Sequence, residues 1–596
     1  MTALTGRYEM YGMDSKSGST EMKLLRVDMG TERIQGEDVA EHYALLGGRG
    51  LIAALLLAEL EPACDPQGPD NRLVICNGLL AGTLAASSGR ISVGGKSPLT
   101  GTIKEANAGG TAGLALARLG FRGIVVSGES ERLKVLVIGP EGARLEDAPE
   151  LALRGTYDTC DMLRARYGDD ISILCIGPAG ERRYLNSSVQ VTDREGRPAR
   201  AAARGGLGGV MGARGLKAVV LQGGKEKPVF ADAPRFRAAS KAYMQALRKH
   251  PMTGNILTRF GTASLVGAVN EMGAMPTRNY SSGSFEGAAA LSGEHMAELQ
   301  TGRKGSMTHA CQTGCPISCS NVYNGPDGKY LTSGMEYETI ALNGSNLSID
   351  DIDVVALIDR LCDDAGLDTM ETGATLGVAA EAGLLSYGDS ARVLELIRQM
   401  AAGTPLGMEL GQGTERFGKS MGVTRIPVVK RQALAGYDPR ALKGTGVTCA
   451  TSPMGADHTA GNAIGMPGVD PLSPHGQVEV SRGCQQVMAL FDSLGMCIFA
   501  GMPADNPEVF GLLGEMLAGV YGGDWPPERL LGLGTETLLR ERRFNLLAGI
   551  GEEEDDVPPF MRTEELKPHD AVFDVPREEL KKVFDFVASG QGNQPG

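Results

Sequence analysis

The chain lacks a hydrophobic run long enough to cross a bilayer. Its longest apolar run, Leu51–Leu60, has about half of the ~20 residues that a membrane-spanning helix needs, so it is predicted to form a buried helix. Residues 1–20 are polar and carry no apolar core, so no signal peptide is expected. We therefore expect a cytoplasmic protein without a membrane span, in which cysteine thiols stay reduced.

The chain also lacks an excess of positive charge. It has 58 Lys and Arg against 72 Asp and Glu, a net charge of −14, which argues against a nucleic-acid-binding protein. The chain is not poor in hydrophobic residues either: they make up 42% of it, which excludes a mainly disordered chain. At about 100–200 residues per domain, 596 residues suffice for three to five domains.

No disulfide framework is evident among the 11 cysteines. Cys311, Cys315 and Cys319 instead form a C-x3-C-x3-C motif in a segment that contains Gly and Pro. Three thiolates from one loop plus one remote cysteine commonly hold a [4Fe–4S] cluster, and Cys497 is the candidate for the fourth ligand. Zinc is the alternative, but its usual second cysteine pair is missing. The other seven are predicted to be core residues: Cys64, Cys76, Cys160, Cys175, Cys362, Cys449 and Cys484.

Glycine is abundant, at 84 of 596 residues, about twice average usage. Short aliphatic runs that end in glycine predict strands in the first third of the chain: Arg72–Gly78, Gly123–Gly128, Leu133–Gly139, Ile171–Gly177 and Ala218–Gly223. Helical patterns follow a charged linker at 224–234. The predicted fold class is α+β, with a β-rich domain at 1–223 and two mainly helical domains at 224–425 and 426–596. The acidic run Glu552–Asp556 is predicted to be a solvated loop.

Two long helices of this helical part end in the same short motif. Apolar residues recur at helical spacing in Val354, Leu357, Ile358 and Leu361, and again in Cys484, Val487, Met488 and Phe491. Ser348 and Asp351 fit a capping box that opens the first helix. The helices run into Asp363–Asp368 and Asp492–Cys497, each of the form Asp-x-x-Gly. Glycine there is ordinary capping, but a carboxylate opposes the helix dipole. Exposed acids beside a capping glycine would account for the glycine but not for the aspartates. Two copies of this unfavourable choice suggest ligand binding, since a carboxylate can accept the paired N–H donors of a pterin ring.

Together these features resemble the tungsten-containing aldehyde:ferredoxin oxidoreductase family, from about residue 24 to about residue 549. The matching segments occur in the family's order: Gly47–Leu51, Gly89–Arg90, Lys96–Gly101, Asn107–Gly110, Arg200–Gly206, Val210–Gly212, Cys315–Cys319, Glu336–Thr339, Asp363–Asp368, Tyr437–Arg440 and Asp492–Cys497. The resemblance implies a β-rich domain that cradles the cofactor, followed by two helical domains.

The resemblance also implies a cofactor in which two molybdopterins chelate one tungsten, or molybdenum, without a protein ligand to the metal. Asp363, Asp368 and Asp492 are then expected to bind the pterin edges. The phosphates are expected to lie against Arg90, Arg204 and the backbone near Gly109 and Arg200, with a Mg²⁺ ion on the carbonyl oxygens of Asn107 and Ala201. Bulky anions against the backbone need glycine, arginine forks and N–H nests, which these segments contain.

The same resemblance assigns the acid–base residues. Glu338 matches the second Glu of the family's Glu-Tyr-Glu motif, and His458 matches its active-site histidine. The implied reaction is the oxidation of an aldehyde to a carboxylic acid, with Glu338 taking a proton and His458 donating to the carbonyl or oxo group. Electrons would pass through the [4Fe–4S] cluster to ferredoxin or a ferredoxin-like subunit.

The sequence departs from the family in two places. The first two cluster cysteines are separated by three residues instead of two. Where founding members carry a Glu-x-x-His motif for an iron between subunits, this chain has Leu357 and Arg360. We therefore expect no such iron, and any homodimer would form without it.

Two other functions stay open at this point. Relatives of the family include the catalytic subunit of benzoyl-CoA reductases, in which a cysteine binds tungsten; Cys449, nine residues before His458, is the candidate here, although a core role fits it better. The other alternative is a non-catalytic iron–sulfur subunit that transfers electrons.

Overall fold

The computed structural model of the chain describes residues 22–586. The outer ends of the first and third predicted domains, 1–21 and 587–596, lie outside the described residues, as does the polar N-terminus on which the expectation about a signal peptide rests. Within residues 22–586, no helix is both long and apolar enough to cross a membrane.

The N-terminal region contains two six-stranded sheets. The first is built from β1 (Lys23–Asp28), β2 (Arg33–Asp38), β3 (Leu73–Asn77), β4 (Ile91–Lys96), β5 (Ile103–Ala108) and β6 (Phe121–Ser127), with helices α1 (Gly48–Glu59) and α2 (Ala112–Arg118). The second is built from β7 (Lys134–Gly139), β8 (Gly142–Asp147), β9 (Ile171–Cys175), β10 (Val189–Val191), β11 (Arg200–Ala202) and β12 (Leu216–Gln222), with helices α3 (Thr156–Tyr167), α4 (Pro178–Glu181) and α5 (Leu207–Ala213).

The two sheets have the same topology. The strand order is β2-β1-β6-β3-β4-β5 in the first and β8-β7-β12-β9-β10-β11 in the second. In each, the pair between the first and last strands is parallel and the other pairs are antiparallel. The N-terminal region is therefore a structural duplication, which the sequence analysis missed. The signal was present in two similar segments, Val74–Gly78 (VICNG) and Ile173–Gly177 (ILCIG).

The two sheets share one apolar core. Residues of both contribute to it, including Val93 and Ile124 of the first sheet and Leu174 and Val219 of the second. α1 covers the other face of the first sheet, and α3 covers the other face of the second. The residues of β3, β6, β7, β9 and β12 are therefore buried on both faces of their sheet, which explains the continuous aliphatic runs from which these five strands were predicted.

Most of the chain beyond β12 is helical. The helices are α6 (Ala233–Lys249), α7 (Leu257–Phe260), α8 (Leu265–Glu271), α9 (Gly293–Arg303), α10 (Tyr337–Asn343), α11 (Ile352–Ala365), α12 (Thr369–Glu381), α13 (Ser390–Ala402), α14 (Pro405–Leu410), α15 (Gly413–Ser420), α16 (Lys443–Thr451), α17 (Gln477–Leu494), α18 (Pro507–Tyr521), α19 (Pro527–Leu547) and α20 (Arg577–Leu580). Short strands form two small sheets: β13 (Ser306–His309), β14 (Ser320–Asn324) and β15 (Tyr330–Ser333), then β16 (Val428–Val429) and β17 (Gln432–Ala433).

The predicted fold class is confirmed: a β-rich N-terminal region precedes a mainly helical part. The five predicted strands are β3, β6, β7, β9 and β12, and the two predicted helices are α11 and α17. One large apolar cluster continues across residue 425, so the division of the helical part at that residue stays a prediction.

Two smaller predictions are wrong. Asp351 itself caps α11, since it accepts from the backbone N–H groups of Asp353 and Val354; Ser348 instead ends the preceding turn at a positive φ of 59°. The acidic run is not a fully solvated loop either: Asp555 is 6% exposed and pairs with Lys430 at 2.6 Å. A nearby buried cation offsets the cost of removing this carboxylate from water.

Candidate functional site

The C-termini of α11 and α17 lie against the two halves of the duplication. Gly366 and Gly495 end these helices in the left-handed conformation, at φ 71° and 74°. A Cβ on Gly78, just after β3, would lie 1.9 Å from the Gly495 nitrogen, and one on Gly177, after β9, would lie 2.3 Å from the Ala365 carbonyl carbon. Only glycine permits such close backbone approach, so each Asp motif is fixed to an equivalent sheet edge.

Asp492, in the last turn of α17, is held by protein side chains. Its carboxylate lies 3.3 Å from an Nη of Arg49 and accepts from the side-chain amide of Asn107 at 3.1 Å. Burial is the largest influence and raises the pKa of Asp492 to about 6, while Arg49 and Arg90 oppose this. Arg49 also donates two hydrogen bonds of 2.8 Å to Glu541.

Asp363, at the equivalent position of α11, is held differently. Its carboxylate makes no hydrogen bond to any of the residues 22–586, although the residue is only 7% exposed. Burial first and the neighbouring Asp359 second raise its pKa well above the usual range, against the attraction of Arg200 and Arg360. A buried carboxyl without a partner is costly, and it is available to pair with a bound ligand.

Asp368 and Arg204 contact each other. Asp368 caps α12 by accepting from the Met370 backbone N–H at 2.9 Å, and it lies 3.5 Å from Nε of Arg204. Arg204 donates its two other nitrogens to the carbonyl oxygens of Ala456 and Ala433, at 2.5 and 2.6 Å. Arg204 thus connects the segment before His458 to α12. Because all these contacts are to protein atoms, the contact of Arg204 with a phosphate stays a prediction.

The two predicted Mg²⁺-binding residues lie on equivalent strands of the duplication. Asn107 is on β5 and Ala201 on β11, and these strands contact each other. Arg90 donates to the side-chain and backbone oxygens of Asn107, the latter at 2.9 Å. Arg200, also on β11, keeps a buried Nε without a partner. We call the contact between β5 and β11 the sheet seam. Arg90 and Arg200 lie on either side of it and could attract an anionic ligand.

The four predicted cluster cysteines come together although Cys497 is far away in sequence. Cys311, Cys315 and Cys319 occupy the loop between β13 and β14, and Cys497 follows the end of α17. Ser87 links the two segments, since its carbonyl accepts from the Cys497 backbone at 3.0 Å and its hydroxyl lies 3.5 Å from the Cys315 sulfur.

The backbone of the predicted phosphate segment lies against this loop. A Cβ on Gly109 would lie 3.1 Å from the Cys311 sulfur. Burial first, then repulsion from Cys315 and Cys497, raises the pKa of Cys311 to about 12, although Arg200 and Arg90 oppose this. The cluster cysteines and the predicted phosphate site are thus neighbours.

The spacing of the four sulfurs suits a cluster better than a single zinc ion. Tetrahedral Zn–S bonds of about 2.3 Å would bring the sulfurs to within about 4 Å of one another. Among residues 22–586, no three of these thiols have sulfurs within 4.8 Å of one another. Four soft ligands around a wider space match the donor set of an iron–sulfur cluster.

The two predicted acid–base residues contact each other. Glu338, in the first turn of α10, lies with one carboxylate oxygen 2.9 Å from Nε2 of His458, and the hydroxyl of Tyr437 donates to the same oxygen at 3.0 Å. Nδ1 of His458 is buried without a partner. Such an unpaired polar atom is costly unless a ligand supplies its partner.

The electrostatics of this pair favour the charged form of both residues. Burial is the largest influence on Glu338 and would raise its pKa, but attraction and hydrogen bonding from His458 outweigh it, so the pKa lies below the usual value. Burial would lower the pKa of His458, but Glu338 and then Asp457 raise it overall. Both shifts therefore favour a carboxylate on Glu338 that faces a protonated His458.

Sequence analysis did not identify two further buried ion pairs at this site. Arg49 was part of a matching glycine-rich turn, but its contact with Asp492 follows only from the packing of α1 on α17. Lys104 pairs with Asp457 at 2.6 Å, and both side chains are nearly inaccessible to solvent. Lys104 and Glu105 are adjacent buried residues of β5, and two charged residues are unusual in a buried strand, so this pair could have signalled the site.

Cys449 lies on α16 and is 1% exposed within the large apolar cluster. Burial is the main cause that raises its pKa to about 12. A thiolate ligand needs a site that stabilises the anion, and this environment suits a core thiol instead.

Comparison with known proteins gives matches over nearly the whole chain. Residues 24–223 match the model of the aldehyde ferredoxin oxidoreductase N-terminal domain, and residues 238–585 match the model of domains 2 and 3 of the same family. Tungsten-containing aldehyde ferredoxin oxidoreductases from Thermococcus kodakarensis and Pyrococcus furiosus are 35% and 34% identical, and each alignment covers 92% of both chains.

More distant relatives share the fold. The WOR-like subunit of an aliphatic sulfonate oxidoreductase from Pyrococcus furiosus is 25% identical over 90% of this chain and 88% of its own. The active-site complex of a benzoyl-coenzyme A reductase, solved with 1,5-dienoyl-CoA, superimposes with a TM-score of 0.79 at 19% identity, covering 96% of this chain and 94% of that one. With two family models that together match most of its length and relatives at 34–35% identity, the chain belongs to the aldehyde ferredoxin oxidoreductase family.

Proposed function

We propose that this protein oxidises an aldehyde to a carboxylic acid at a tungsten or molybdenum bis-pterin cofactor and passes the electrons through a [4Fe–4S] cluster to ferredoxin. The observation that carries the proposal is the buried pair of Glu338 and His458, in which Nδ1 of His458 has no protein partner. A cluster-only subunit has no need of such a pair.

The residues at the sheet seam fit the bis-pterin cofactor. The carboxylates of Asp363, Asp368 and Asp492 would accept from the pterin edges. The phosphates would lie against Arg90, Arg204 and the backbone near Gly109 and Arg200, with a Mg²⁺ ion on the carbonyl oxygens of Asn107 and Ala201. When bound, the cofactor supplies a two-electron acceptor beside the substrate. Cys311, Cys315, Cys319 and Cys497 would hold the cluster that receives these electrons.

Glu338 acts as the base in this proposal. Its lowered pKa keeps the carboxylate charged at neutral pH, so it can accept the proton of a water molecule or an aldehyde hydrate. His458, whose pKa is raised, donates through Nδ1 to the carbonyl oxygen of the substrate. The oxidation of an aldehyde and water to an acid releases two protons and two electrons, and the ion pair provides the first proton acceptor.

The acceptor is proposed to be an acidic carrier such as ferredoxin, because a basic surface lies beside the cluster loop. Arg237, Lys241 and Arg248 are exposed on α6 and fall within an arc of about 40° at 100° per residue. None of the three forms an ion pair with the described residues of this acidic chain. We call these three residues the α6 basic stripe.

The α6 basic stripe is joined to the cluster loop through one short turn. Ser240 of α6 donates to the carbonyl of Leu84 at 2.8 Å, and the Leu84 side chain is 74% exposed. Ser87, three residues on, contacts Cys315. Three residues span at most about 11 Å, so a carrier docked on the stripe would lie close to the cluster, with its acidic surface attracted over a Debye length of about 8 Å at physiological salt.

The test of the reaction begins with metal analysis of anaerobically purified protein. The proposal requires about four iron atoms together with tungsten or molybdenum, and aldehyde-dependent reduction of a viologen dye. Four iron atoms without either metal would support a cluster-only subunit instead, and turnover of an aromatic acyl-CoA in place of aldehydes would support a benzoyl-CoA reductase activity.

Glu338→Gln tests the assigned base in the same assay. We expect turnover to fall by about 10²–10⁴-fold while tungsten and iron contents stay unchanged. Tyr437→Phe, which removes one hydrogen bond to Glu338, is the milder comparison and should cost less. Full turnover in Glu338→Gln would show that another group is the base.

The acceptor is tested with the double variant R237E/K241E. The proposal requires a weaker apparent affinity for an acidic ferredoxin and a smaller dependence of that affinity on salt. The rate of aldehyde oxidation with a neutral dye as electron acceptor should stay unchanged. Lys419→Glu, at a lysine on α15 that is 67% exposed and pairs with Glu415, is the control for reversal of a surface charge outside α6. Equal affinity in the double variant and the control would place the docking surface elsewhere.

A further inference from the structure

Ser87 lies in the loop between β3 and β4 and contacts both segments that carry the predicted cluster cysteines. Its backbone N–H donates to the Gly314 carbonyl at 3.4 Å. Its own carbonyl accepts from the Cys497 backbone N–H at 3.0 Å and from the side-chain amide of Gln312 at 3.2 Å. The backbone of Ser87 is therefore fixed to both cysteine segments.

The hydroxyl of Ser87 makes a further contact, since its oxygen lies 3.5 Å from the Cys315 sulfur. The residue is 0% exposed, so bulk water does not compete for the hydroxyl. A thiolate that binds iron carries no proton and can only accept, so the hydroxyl is the donor when a cluster is bound. Among residues 22–586, no other side chain makes a hydrogen bond with a sulfur of the four predicted cluster cysteines.

Ser87 adopts a backbone conformation that serine rarely takes. Its φ is 58°, in the left-handed region that residues with a side chain seldom occupy. Such strain persists only where surrounding contacts impose it, and it is found mostly at functional sites. Glycine would adopt the same conformation without strain. The group that serine adds over glycine at this position is the hydroxyl that reaches Cys315.

The longer spacing between Cys311 and Cys315 is accommodated beside Ser87. Two of the three residues between these cysteines, Gln312 and Gly314, bond the Ser87 backbone. Gly314 is left-handed at φ 80°, and an added Cβ there would meet no atom within 4 Å. The extra residue of this C-x3-C motif thus lies in a turn that Ser87 holds, directly before the cysteine that its hydroxyl contacts.

A hydrogen bond to a ligand sulfur changes the reduction potential of an iron–sulfur cluster. Reduction adds one electron and makes the sulfurs more negative, and a more negative acceptor forms a stronger hydrogen bond. A hydroxyl donor therefore stabilises the reduced cluster more than the oxidised cluster. The apolar residues around this loop, which include Ala86, Ile317 and Met496, strengthen the effect because they screen charge poorly.

We propose that Ser87 raises the reduction potential of the [4Fe–4S] cluster by donating a hydrogen bond from its hydroxyl to the Cys315 sulfur. A higher potential favours the transfer of electrons from the substrate to the cluster. The inference rests on the cluster of the proposed function, but not on the identity of the substrate. Ser87 contacts neither the substrate nor the reacting atoms, so it is a positioning residue that acts through Cys315.

The test compares three variants of the anaerobically purified enzyme by the EPR signal of the reduced cluster at a series of fixed potentials. Ser87→Ala should lower the midpoint potential, so that the ratio of reduced to oxidised cluster at a fixed potential falls by about two- to tenfold. Ser87→Gly also lacks the hydroxyl but relieves the left-handed backbone. The same shift in both variants would assign the effect to the hydroxyl.

Ser88→Ala is the matched control. The Ser88 hydroxyl donates to the carbonyl oxygens of Leu80 and Ala85, and it contacts no sulfur. The midpoint potential of the cluster in this variant should equal that of the unmodified enzyme.

An unchanged potential in Ser87→Ala, or an equal shift in Ser88→Ala, would overturn the inference. A shift in Ser87→Ala without one in Ser87→Gly would assign the effect to the backbone and would overturn it too, as would loss of iron from both Ser87 variants. The measurement needs no aldehyde. If the potential shifts as expected but no aldehyde is oxidised, the proposed function fails and the role of Ser87 stands. If aldehydes are oxidised but the potential does not shift, the reverse holds.

Discussion

The two halves of the N-terminal duplication present the same backbone to the helical part but different side chains. In the first half Gly78 receives the end of α17 with Asp492, and in the second Gly177 receives the end of α11 with Asp363. The amino end of α1 lies against the Asp492 motif, and that of α3 lies against the Asp363 motif, where the Thr156 hydroxyl donates to the Asp363 carbonyl at 2.8 Å.

The difference lies in what the two covering helices contribute. α1 brings Arg49, a buried cation that neutralises Asp492. α3 brings Thr156 and Tyr157 at the corresponding place, and neither offers a charge to the Asp363 carboxylate. The two halves therefore keep the same backbone but place different charged groups beside their Asp motifs. In the proposed function, the two pterins would meet unequal electrostatic environments.

Arg49→Met should cause the largest loss of stability, and it alters only the half of the duplication that holds Asp492. It leaves the carboxylates of Glu541 and Asp492 buried without their cation, and removal of one partner from a buried ion pair costs about 3–5 kcal/mol. Urea unfolding should show this loss. Tyr157→Phe, in the other half, is the control and should change stability much less; equal losses in both variants would mean that the halves do not differ in this way.

Gly78→Ala and Gly177→Ala test the shared backbone frame and should act alike. Each added Cβ would meet backbone atoms at 1.9–2.3 Å, and such overpacking costs about 3 kcal/mol. Gly483→Ala, at an exposed site of α17 with no atom within 4 Å of the added Cβ, should be neutral or slightly stabilising. If alanine were tolerated at only one of Gly78 and Gly177, the backbone contacts of the two Asp motifs would not be equivalent in the two halves.

Asp492→Asn and Asp363→Asn should separate the halves by a smaller amount. The former weakens a charged hydrogen bond to Arg49 and should cost about 2 kcal/mol, whereas the latter replaces a side chain without a hydrogen-bond partner among residues 22–586 and should change stability by about 0.5 kcal/mol or less. Denaturant unfolding of protein prepared without tungsten measures both. A larger loss in Asp363→Asn would reveal a partner for that carboxylate.

The last expected effect appears only when the pH is varied, and Asp492 contributes it. Its folded pKa of about 6 lies above the value of about 3.9 in unfolded chains, so the folded state binds the proton more tightly. This contribution is fully present below about pH 4 and is lost as the pH rises to about 6. The unfolding free energy of the unmodified protein should therefore fall more steeply between these pH values than that of Asp492→Asn. Parallel pH profiles would show that Asp492 does not have a raised pKa.

Much of the fold was predictable because it depends on local patterns. Aliphatic runs ending in glycine identified β3, β6, β7, β9 and β12, and helical periodicity identified α11 and α17. The duplication was not predicted, because its two halves share a topology while most of their side chains differ. Topology depends on which strands pair, and that information is spread over the whole chain.

The candidate site was predictable in part for the same reason. The cysteine motif and the two Asp motifs are short and local, so the sequence displays them directly. The pairing of Asp555 with Lys430 is decided by neighbours in space, and the prediction of a solvated loop at that place was wrong. The cap of α11 is local, but Ser348 and Asp351 both fitted the start of the helix in sequence, and only the structure distinguished Asp351 as the cap.

The sequence by itself determined the donor set: three clustered cysteines, two Asp-x-x-Gly motifs and a composition without a basic excess or a long apolar run. Only the tertiary structure decided which groups meet. Arg49 reaches Asp492 across 443 residues and Lys104 reaches Asp457 across 353. It also located the basic stripe beside the cluster loop in a chain whose net charge is −14. The reason is physical: a residue's type fixes what it can bind, but its charge state and its partner depend on burial and distance, which exist only once the chain has packed.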